Sequence, residues 1–268
     1  MRSYYENKVV FVTGASSGLG EALAREAVAA GARVALAARR ADRLEALASE
    51  LGPAALAVRC DVTMDGDLER AIDATHALGH VDVLLANAGF GVGGPLDRLT
   101  LADYQRQFDT NVLGVLRSIY AALPDLRATR GSIGIVGSAN GYIALPGWSA
   151  YCMSKHAIRA LAESLGPELR SQGIRVTHLA PGFVATEFRH VDRNGTLRPE
   201  KKDPIPGWLQ MSARRAARQM LRAVARGRRE RVVTGHAKIG VLMSRHAPGL
   251  VATAARWTSP WLRRVSSR

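Results

Sequence analysis

Apolar and polar positions along this chain follow two alternating rhythms. Short, almost unbroken apolar runs occur at residues 8–12 (KVVFV), 33–38 (RVALAA), 54–60 (AALAVRC), 82–86 (DVLLA), 132–137 (SIGIVG) and 174–180 (IRVTHLA). Runs this short, bounded by Gly, Pro and polar residues, predict strands buried on both faces. Stretches of helical period separate them. The first runs to about Ala30, where Gly31 suits a C-cap. Others are predicted over 101–122, from beyond Asn140-Gly141 to about Gln172, and over 212–226. The last has Ser212 as N-cap and Ala213, Ala216, Ala217, Met220, Leu221 and Val224 on one apolar face, with a seventh strand at 231–234. Strand and helical segments alternate six times over residues 8–180. That pattern predicts an α/β domain: a doubly wound parallel sheet between two helical layers.

In such sheets ligands collect at the carboxyl ends of the strands, and the polar motifs of this chain fall there or on the following helix. The run 8–12 leads into Thr13-Gly14-Ala15-Ser16-Ser17-Gly18-Leu19-Gly20 and then a helix. Glycines allow a tight turn and close backbone approach to a pyrophosphate, and the helix N-terminus adds free N–H groups. The spacing is Gly-x-x-x-Gly-x-Gly rather than Gly-x-Gly-x-x-Gly; alone it would be only a loop, but its place between strand and helix predicts a nucleotide site.

The second run ends in Ala38-Arg39-Arg40, where an NAD site usually carries an acid for the ribose 2′-OH. A guanidinium suits a 2′-phosphate, and no carboxylate stands at that position to repel it, so the expected cofactor is NADP(H). The bland alternative is a solvated helix start before Asp42. Asp61-Val62 closes the third run; Asp61 could accept from an adenine amine or simply begin a helix. Asn87-Ala88-Gly89 closes the fourth. Asn111, unfavourable in mid-helix, invites a specific reason such as a kink, a water or a lysine partner.

Tyr151 and Lys155 are spaced i,i+4 and share a helix face, with Ser138 thirteen residues before Tyr151. A fixed ammonium beside a phenol lowers its pKa, which makes a proton donor and acceptor for an alcohol or carbonyl oxygen. Alone, such a pair is more often ordinary helix surface.

Taken together, Thr13-Gly14-x-x-x-Gly18-x-Gly20, Asp61, Asn87-Ala88-Gly89, Asn111, Ser138, Tyr151-x-x-x-Lys155 and Pro181-Gly182-x-x-x-Thr186 resemble the short-chain dehydrogenase/reductase family over about residues 6–187, more loosely to 234. The resemblance implies a Rossmann-type sheet and hydride transfer between a nicotinamide and a carbonyl or alcohol. It implies Tyr151 as general acid/base, Lys155 lowering its pKa and binding the nicotinamide ribose, Ser138 orienting the substrate oxygen, and Asn111 placing a water that links Lys155 to solvent. Gly14, Ser16, Ser17, Gly18, Leu19 and Gly20 would line the pyrophosphate and adenosine side, with Arg39, Arg40, Asp61 and Val62 beyond them. Asn87, Ala88 and Gly89 would lie along the cofactor, and Val184 and Thr186 would meet the carboxamide in the turn begun by Pro181 and Gly182. Leu19 replaces a more usual isoleucine. The resemblance also implies a homo-oligomer, dimer or tetramer, through the helices around Asn111 and Tyr151. It leaves the substrate open.

Residues 187–211, rich in Pro, Gly and charge, predict a mobile lid, with Trp208 and Leu209 as apolar contacts or Trp208 as an anchor. The expected division is a catalytic domain over 1–235 and an extension over 236–268.

Composition changes the picture mainly through charge. Residues 1–187 carry 18 Lys and Arg against 19 Asp and Glu, whereas 188–268 carry 19 against 4, so the net charge of +14 belongs to the last third. That extension also holds Ile239 to Met243, Leu250-Val251, Trp257, Trp261 and Leu262. It could lie on an anionic membrane surface or pack on the core or a second subunit. A lipid-like substrate would suit the first case. No helix-turn-helix, zinc or RNA-binding signature supports nucleic acid as partner.

Apolar content of 47% without a run of about 18 apolar residues predicts a soluble protein, and the start lacks a signal peptide's apolar core. Cys60 and Cys152 have no metal-ligand spacing, no metal site is expected, and a reduced cytoplasmic protein is the plain reading. The alternative to an enzyme is an NADP(H)-binding sensor or scaffold, against which all of Ser138, Tyr151 and Lys155 are retained.

Overall fold

The computed structural model describes residues 1–190, Arg198, Asp203 and 205–256. Strands β1 (Val9–Thr13), β2 (Arg33–Ala38), β3 (Ala55–Arg59), β4 (Val83–Ala86), β5 (Ser132–Val136) and β6 (Arg175–Ala180) occupy the six apolar runs. With Glu230–Val232 they form a seven-stranded sheet in the order β3-β2-β1-β4-β5-β6 and then that last strand, every neighbour parallel. β1, β4 and β5 are buried at every position, as central strands covered on both faces must be.

The pleat sorts their side chains. Val10 and Val12 of β1 join one core with Val34, Leu36, Val83 and Leu85, whereas Phe11 joins the other with Ala35, Leu84, Ile133 and Ile135. A short helix α1 (Arg2–Tyr5) precedes β1 and buries Tyr5 in the first core. That core is covered by α2 (Gly18–Val28) and α3 (Ala41–Leu51); the second is covered by α4 (Asp67–Thr75) and the helices after β4 and β5. Strand order reverses between β1 and β4, which opens the ligand crevice at their carboxyl ends.

The single helix expected over 101–122 is in fact three pieces. α5 (Leu101–Phe108) starts at a capping box in which Asp103 N–H donates to Thr100 Oγ1 and Thr100 N–H donates to Asp103 Oδ2. A π-turn, Asp109–Leu113, follows, and α6 (Gly114–Thr129) continues through Pro124 to a left-handed cap at Arg130. The extra residue in the turn swings Asn111 inward, and buried Leu126 keeps the helix packed beyond the expected end. α7 (Ser149–Arg170) follows β5.

β7 (Val184–Ala185) pairs in parallel with β8 (Met211–Ser212) and so fastens both ends of the segment expected as a lid. Within it Arg189 is paired with Asp203, which also accepts from Gln210. Trp208 is 84% exposed, so it neither anchors the segment nor covers the site. Asn194, Gly195, Pro199 and Pro204 of that segment, and Trp257, Trp261 and Leu262 at the far end, lie outside the described residues.

Ser212 caps α8 (Ala213–Ala225), its Oγ accepting from Arg215 N–H at 3.4 Å. The last strand is β9 (Glu230–Val232). Helix α9 (Gly235–His246) begins the extension and packs on the core: Val241 is buried against Tyr142 and Ala180, Ser244 Oγ donates to Tyr142 O, and Arg245 pairs with Glu230. Among the described residues no helix is long and apolar enough to cross a membrane.

Candidate active site

The glycine turn is held to the end of β4. Asn87 and Ala88 N–H both donate to Thr13 Oγ1 at 3.0 Å, and Asn87 Nδ2 donates to Thr13 O at 2.9 Å. Gly14 has φ +68°, and a Cβ there would lie 2.9 Å from Ala88 Cα, so conformation and space both exclude a side chain. Gly20 is closer still, since its Cβ would lie 2.1 Å from Gly14 O. Leu19 packs against the first core. Gly18 faces Thr186, which brings the turn after β6 to the start of α2. Ala139 N–H donates to Pro181 O at 2.8 Å and Gly182 abuts Thr234, while Val184 is buried.

The N-terminus of α2 has no side-chain cap. Ser16 and Ser17 instead turn their hydroxyls to Arg40, whose Nε and Nη2 donate to Ser16 Oγ at 3.1 and 2.9 Å and whose Nη2 donates to Ser17 Oγ at 2.7 Å. Arg43, which the sequence did not single out, stands beside Arg40. Burial, and after it Arg43, pushes the Arg40 pKa down, which Glu187 opposes. Two guanidiniums, Arg40 and Arg43, therefore crowd one corner next to the uncapped N-terminus of α2, an arrangement that fits a phosphorylated dinucleotide.

A carboxylate does stand there, contrary to the expectation from β2 alone. Glu187 accepts from Arg43 Nη1 at 2.9 Å and lies 3.8 Å from Arg40 Nη1. It arrives from beyond β7, more than a hundred residues later, so position after β2 could not reveal it. Arg39 points away, 68% exposed and 4.0 Å from Asp61 Oδ2. Asp61 Oδ1 accepts from Thr63 N–H and Oγ1, a local turn, and Val62 packs on Gly114.

Ser138 ends the stretch after β5, its Oγ accepting from Asn140 N–H at 3.1 Å. Tyr151 and Lys155 lie on the inward face of α7 and are buried. Burial pushes the Tyr151 phenol up to about 12, with the Ser138 hydroxyl pulling the other way. Burial pushes the Lys155 ammonium down to about 8. Burial outweighs the expected lowering of Tyr151 by Lys155, whose Nζ donates to Val136 O at 3.0 Å and sits 5.7 Å from the Tyr151 ring centroid.

Asn111 Oδ1 accepts from Phe90 N–H, and its Nδ2 donates to Phe90 O and Ser154 Oγ. The π-turn thus ties Asn111 to the loop after β4 and to α7. Gly89 is pressed against Asn111 Oδ1.

Two aromatic rings outside the sequence motifs enclose Tyr151: Trp148 at 5.9 Å and Phe188 at 5.5 Å between centroids. A Cβ at Gly91 would lie 2.8 Å from Phe188 Cζ and one at Gly93 3.3 Å from Trp148 Cζ2, so the glycine-dense stretch after Phe90 was the signal for them.

A family profile described as short chain dehydrogenase matches residues 8–196. The chain belongs to that family. An oxidoreductase of Sarocladium schorii is 40% identical over 183 residues, 68% of this chain and 74% of that protein. Serine 3-dehydrogenase of Agrobacterium fabrum is 36% identical over 188 residues, 69% of this chain and 76% of that protein. A short-chain dehydrogenase/reductase from Burkholderia phymatum in complex with NAD superposes with a TM-score of 0.81 at 25% identity, over 92% of this chain and 95% of that one. An alcohol dehydrogenase from Thermococcus sibiricus complexed with 5-hydroxy-NADP gives 0.74 at 29% identity, over 85% and 96%. The protein is accordingly a Rossmann-type short-chain oxidoreductase acting on CH–OH groups and carbonyls, in a family whose solved members hold NAD or NADP nucleotides.

Proposed function

We propose that this protein is an NADP(H)-dependent oxidoreductase that interconverts an apolar, lipid-like carbonyl compound and its alcohol. The observation that carries the cofactor reading is the Arg40 fork on Ser16 and Ser17, backed by Arg43 and with Arg39 adjoining. Bound NADPH would supply the hydride and NADP+ would accept it. Tyr151, held as a phenol, gives its proton to the carbonyl oxygen in reduction and takes one back in oxidation. Ser138 donates a hydrogen bond to the same oxygen. Lys155 binds the ribose and, once drawn from Val136 O toward the cofactor, favours the phenolate. Asn111 positions the water that connects Lys155 to solvent. Gly14, Gly18, Asn87 and Thr186 border the cofactor. The aromatic sleeve of Trp148 and Phe188 supports an apolar substrate.

The domain spans 1–235 and the extension 236–268. Exposed Leu101, Leu113, Tyr120 and Met153 on α5 to α7 support a homodimer or tetramer through those helices. Exposed Ile239, Leu242, Met243 and Leu250, amid basic residues, support peripheral contact of a cytoplasmic protein with anionic membrane. The test is a panel of aldehydes, ketones and alcohols, long-chain and steroid-like ones included, followed by NADPH and NADH absorbance. Turnover of apolar carbonyls with NADPH preferred is the expected result; preference for NADH, or no turnover of any carbonyl, overturns the reading.

A further inference from the structure

At the edge of the sheet opposite Tyr151 lies a cluster that the redox chemistry does not use. Asp125, near the end of α6, is buried, yet among the described residues no Lys or Arg pairs with it. Its carboxylate is met by two imidazoles and one amide. His76 Nε2 lies 3.0 Å from Oδ2, His80 Nδ1 lies 2.9 Å from Oδ1, and Val81 N–H donates to Oδ2 at 2.8 Å. The two rings stand edge to face with centroids 5.0 Å apart, and the nitrogen and oxygen atoms lie within 4.8 Å of one another.

We propose that His76, His80 and Asp125 form a binding site for a divalent transition-metal ion of the zinc class. Buried charges are ordinarily paired or bound to a cation, and among the described residues this carboxylate has no cationic side chain of the Lys or Arg type. Two imidazole nitrogens and one carboxylate oxygen are a zinc donor set, whereas magnesium and calcium take oxygen throughout. Bonds of about 2.0–2.2 Å in a tetrahedral site separate donors by roughly 3.3–3.5 Å. The nitrogen–oxygen distances here are 2.9–3.2 Å, so an ion needs the rings to draw back from the carboxylate by a few tenths of an ångström, and all the donor atoms already lie within 4.8 Å of one another. They are free to do so, because the His76 and His80 side chains are 40% and 67% exposed.

That exposure also leaves a solvent-facing position for a water as fourth ligand. The carboxylate, by contrast, is aimed by the Val81 amide, the kind of outer support that orients metal ligands. Asp125 lies 45 residues from His80, so the sequence shows only His-x-x-x-His without its third member. An ion here would clip the end of α4, the approach to β4 and the end of α6 together. Its role is therefore stabilising: β4 separates it from the catalytic edge.

The experiment uses tag-free full-length protein, stripped with chelator and titrated with Zn2+ against a chromophoric competitor, beside His76→Gln and His80→Gln. Both substitutions are at exposed side chains and leave Asp125 its Val81 bond. One equivalent should bind wild type, each variant should bind at least about tenfold more weakly, and zinc should raise the melting temperature of wild type alone. Mg2+ should not compete. Wild type that takes up no zinc, or variants that bind it and gain stability as wild type does, would overturn the site and leave a purely hydrogen-bonded cluster.

Discussion

Glu187→Gln tests the phosphate corner by removing a charge while keeping a hydrogen-bond acceptor of the same size. Glu187 pairs with Arg43 at 2.9 Å and stands 3.8 Å from Arg40. A 2′-phosphate recruited by the same guanidiniums must outcompete that carboxylate or share the corner with it. All three side chains are more than a third exposed, so each pair is worth only ~0.2–1 kcal/mol rather than the larger figure of a buried contact. The two pairs together amount to about 0.4–2 kcal/mol, which predicts NADPH binding tightened about two- to thirtyfold, with NADH unchanged. Titration calorimetry with both nucleotides over a salt series measures this, and the gain should shrink as salt screens the corner. An equal shift for NADH would mean the substitution acts on the shared part of the cofactor. Weaker NADPH binding would mean Glu187 holds the arginines in place rather than competing for them.

Four further outcomes follow from the same geometry. Arg40→Ala should weaken NADPH by roughly ten- to a hundredfold, from a charge-assisted contact of about 1.5–3 kcal/mol, and Arg39→Ala by less; equal losses of NADPH and NADH would make Arg40 a prop of the glycine turn. Tyr151→Phe should lower turnover by at least ~100-fold with NADPH affinity nearly intact, and retained activity would remove the phenol from the mechanism. Lys155→Met should stabilise the cofactor-free protein at pH 7. Depression from 10.5 to about 8 is a burial penalty of about 3 kcal/mol, less about 1 for the lost bond to Val136 O. The folded pKa is the lower one, so the penalty is complete below pH about 8 and fades toward pH 10.5; denaturant melts showing the same advantage at pH 7 and pH 10 would refute it. Truncation after His246 should leave the fold intact and weaken salt-sensitive co-sedimentation with anionic vesicles; full-length protein that ignores vesicles would make the extension structural.

The sheet was legible because its strands are covered on both faces. Such strands must be apolar without interruption, and β2 was bounded to the residue by Arg33 and Ala38. Helix interruptions were harder. The propensity of Asn111 pointed to something irregular, but the π-turn is selected by partners far away in sequence, Phe90 and Ser154, and no local pattern contains them. Pro124 lies inside α6, and buried Leu126 holds the helix to the core beyond it. Local preference fails here where tertiary packing holds more free energy than one missing N–H removes.

The site divides along the same line. Residues whose task is carried by backbone shape or by spacing on one element were visible: Gly14 and Gly20 through the turn they permit, Tyr151 and Lys155 through one helix face. Glu187, Phe188 and Trp148 were not, because their importance comes from what β7 and the start of α7 place opposite them. Glu187 and Phe188 are adjacent on one short turn, Glu187–His190, and reach opposite ends of the site: one holds Arg43, the other lies tilted against the Tyr151 ring. Whatever loosens Glu187 from the arginines therefore acts on a segment that also covers the phenol. For that reason the Glu187→Gln variant should alter the KM of apolar substrates as well as cofactor affinity. A change confined to the cofactor would show that the turn bends between the two residues, so that the phosphate corner and the substrate sleeve respond independently.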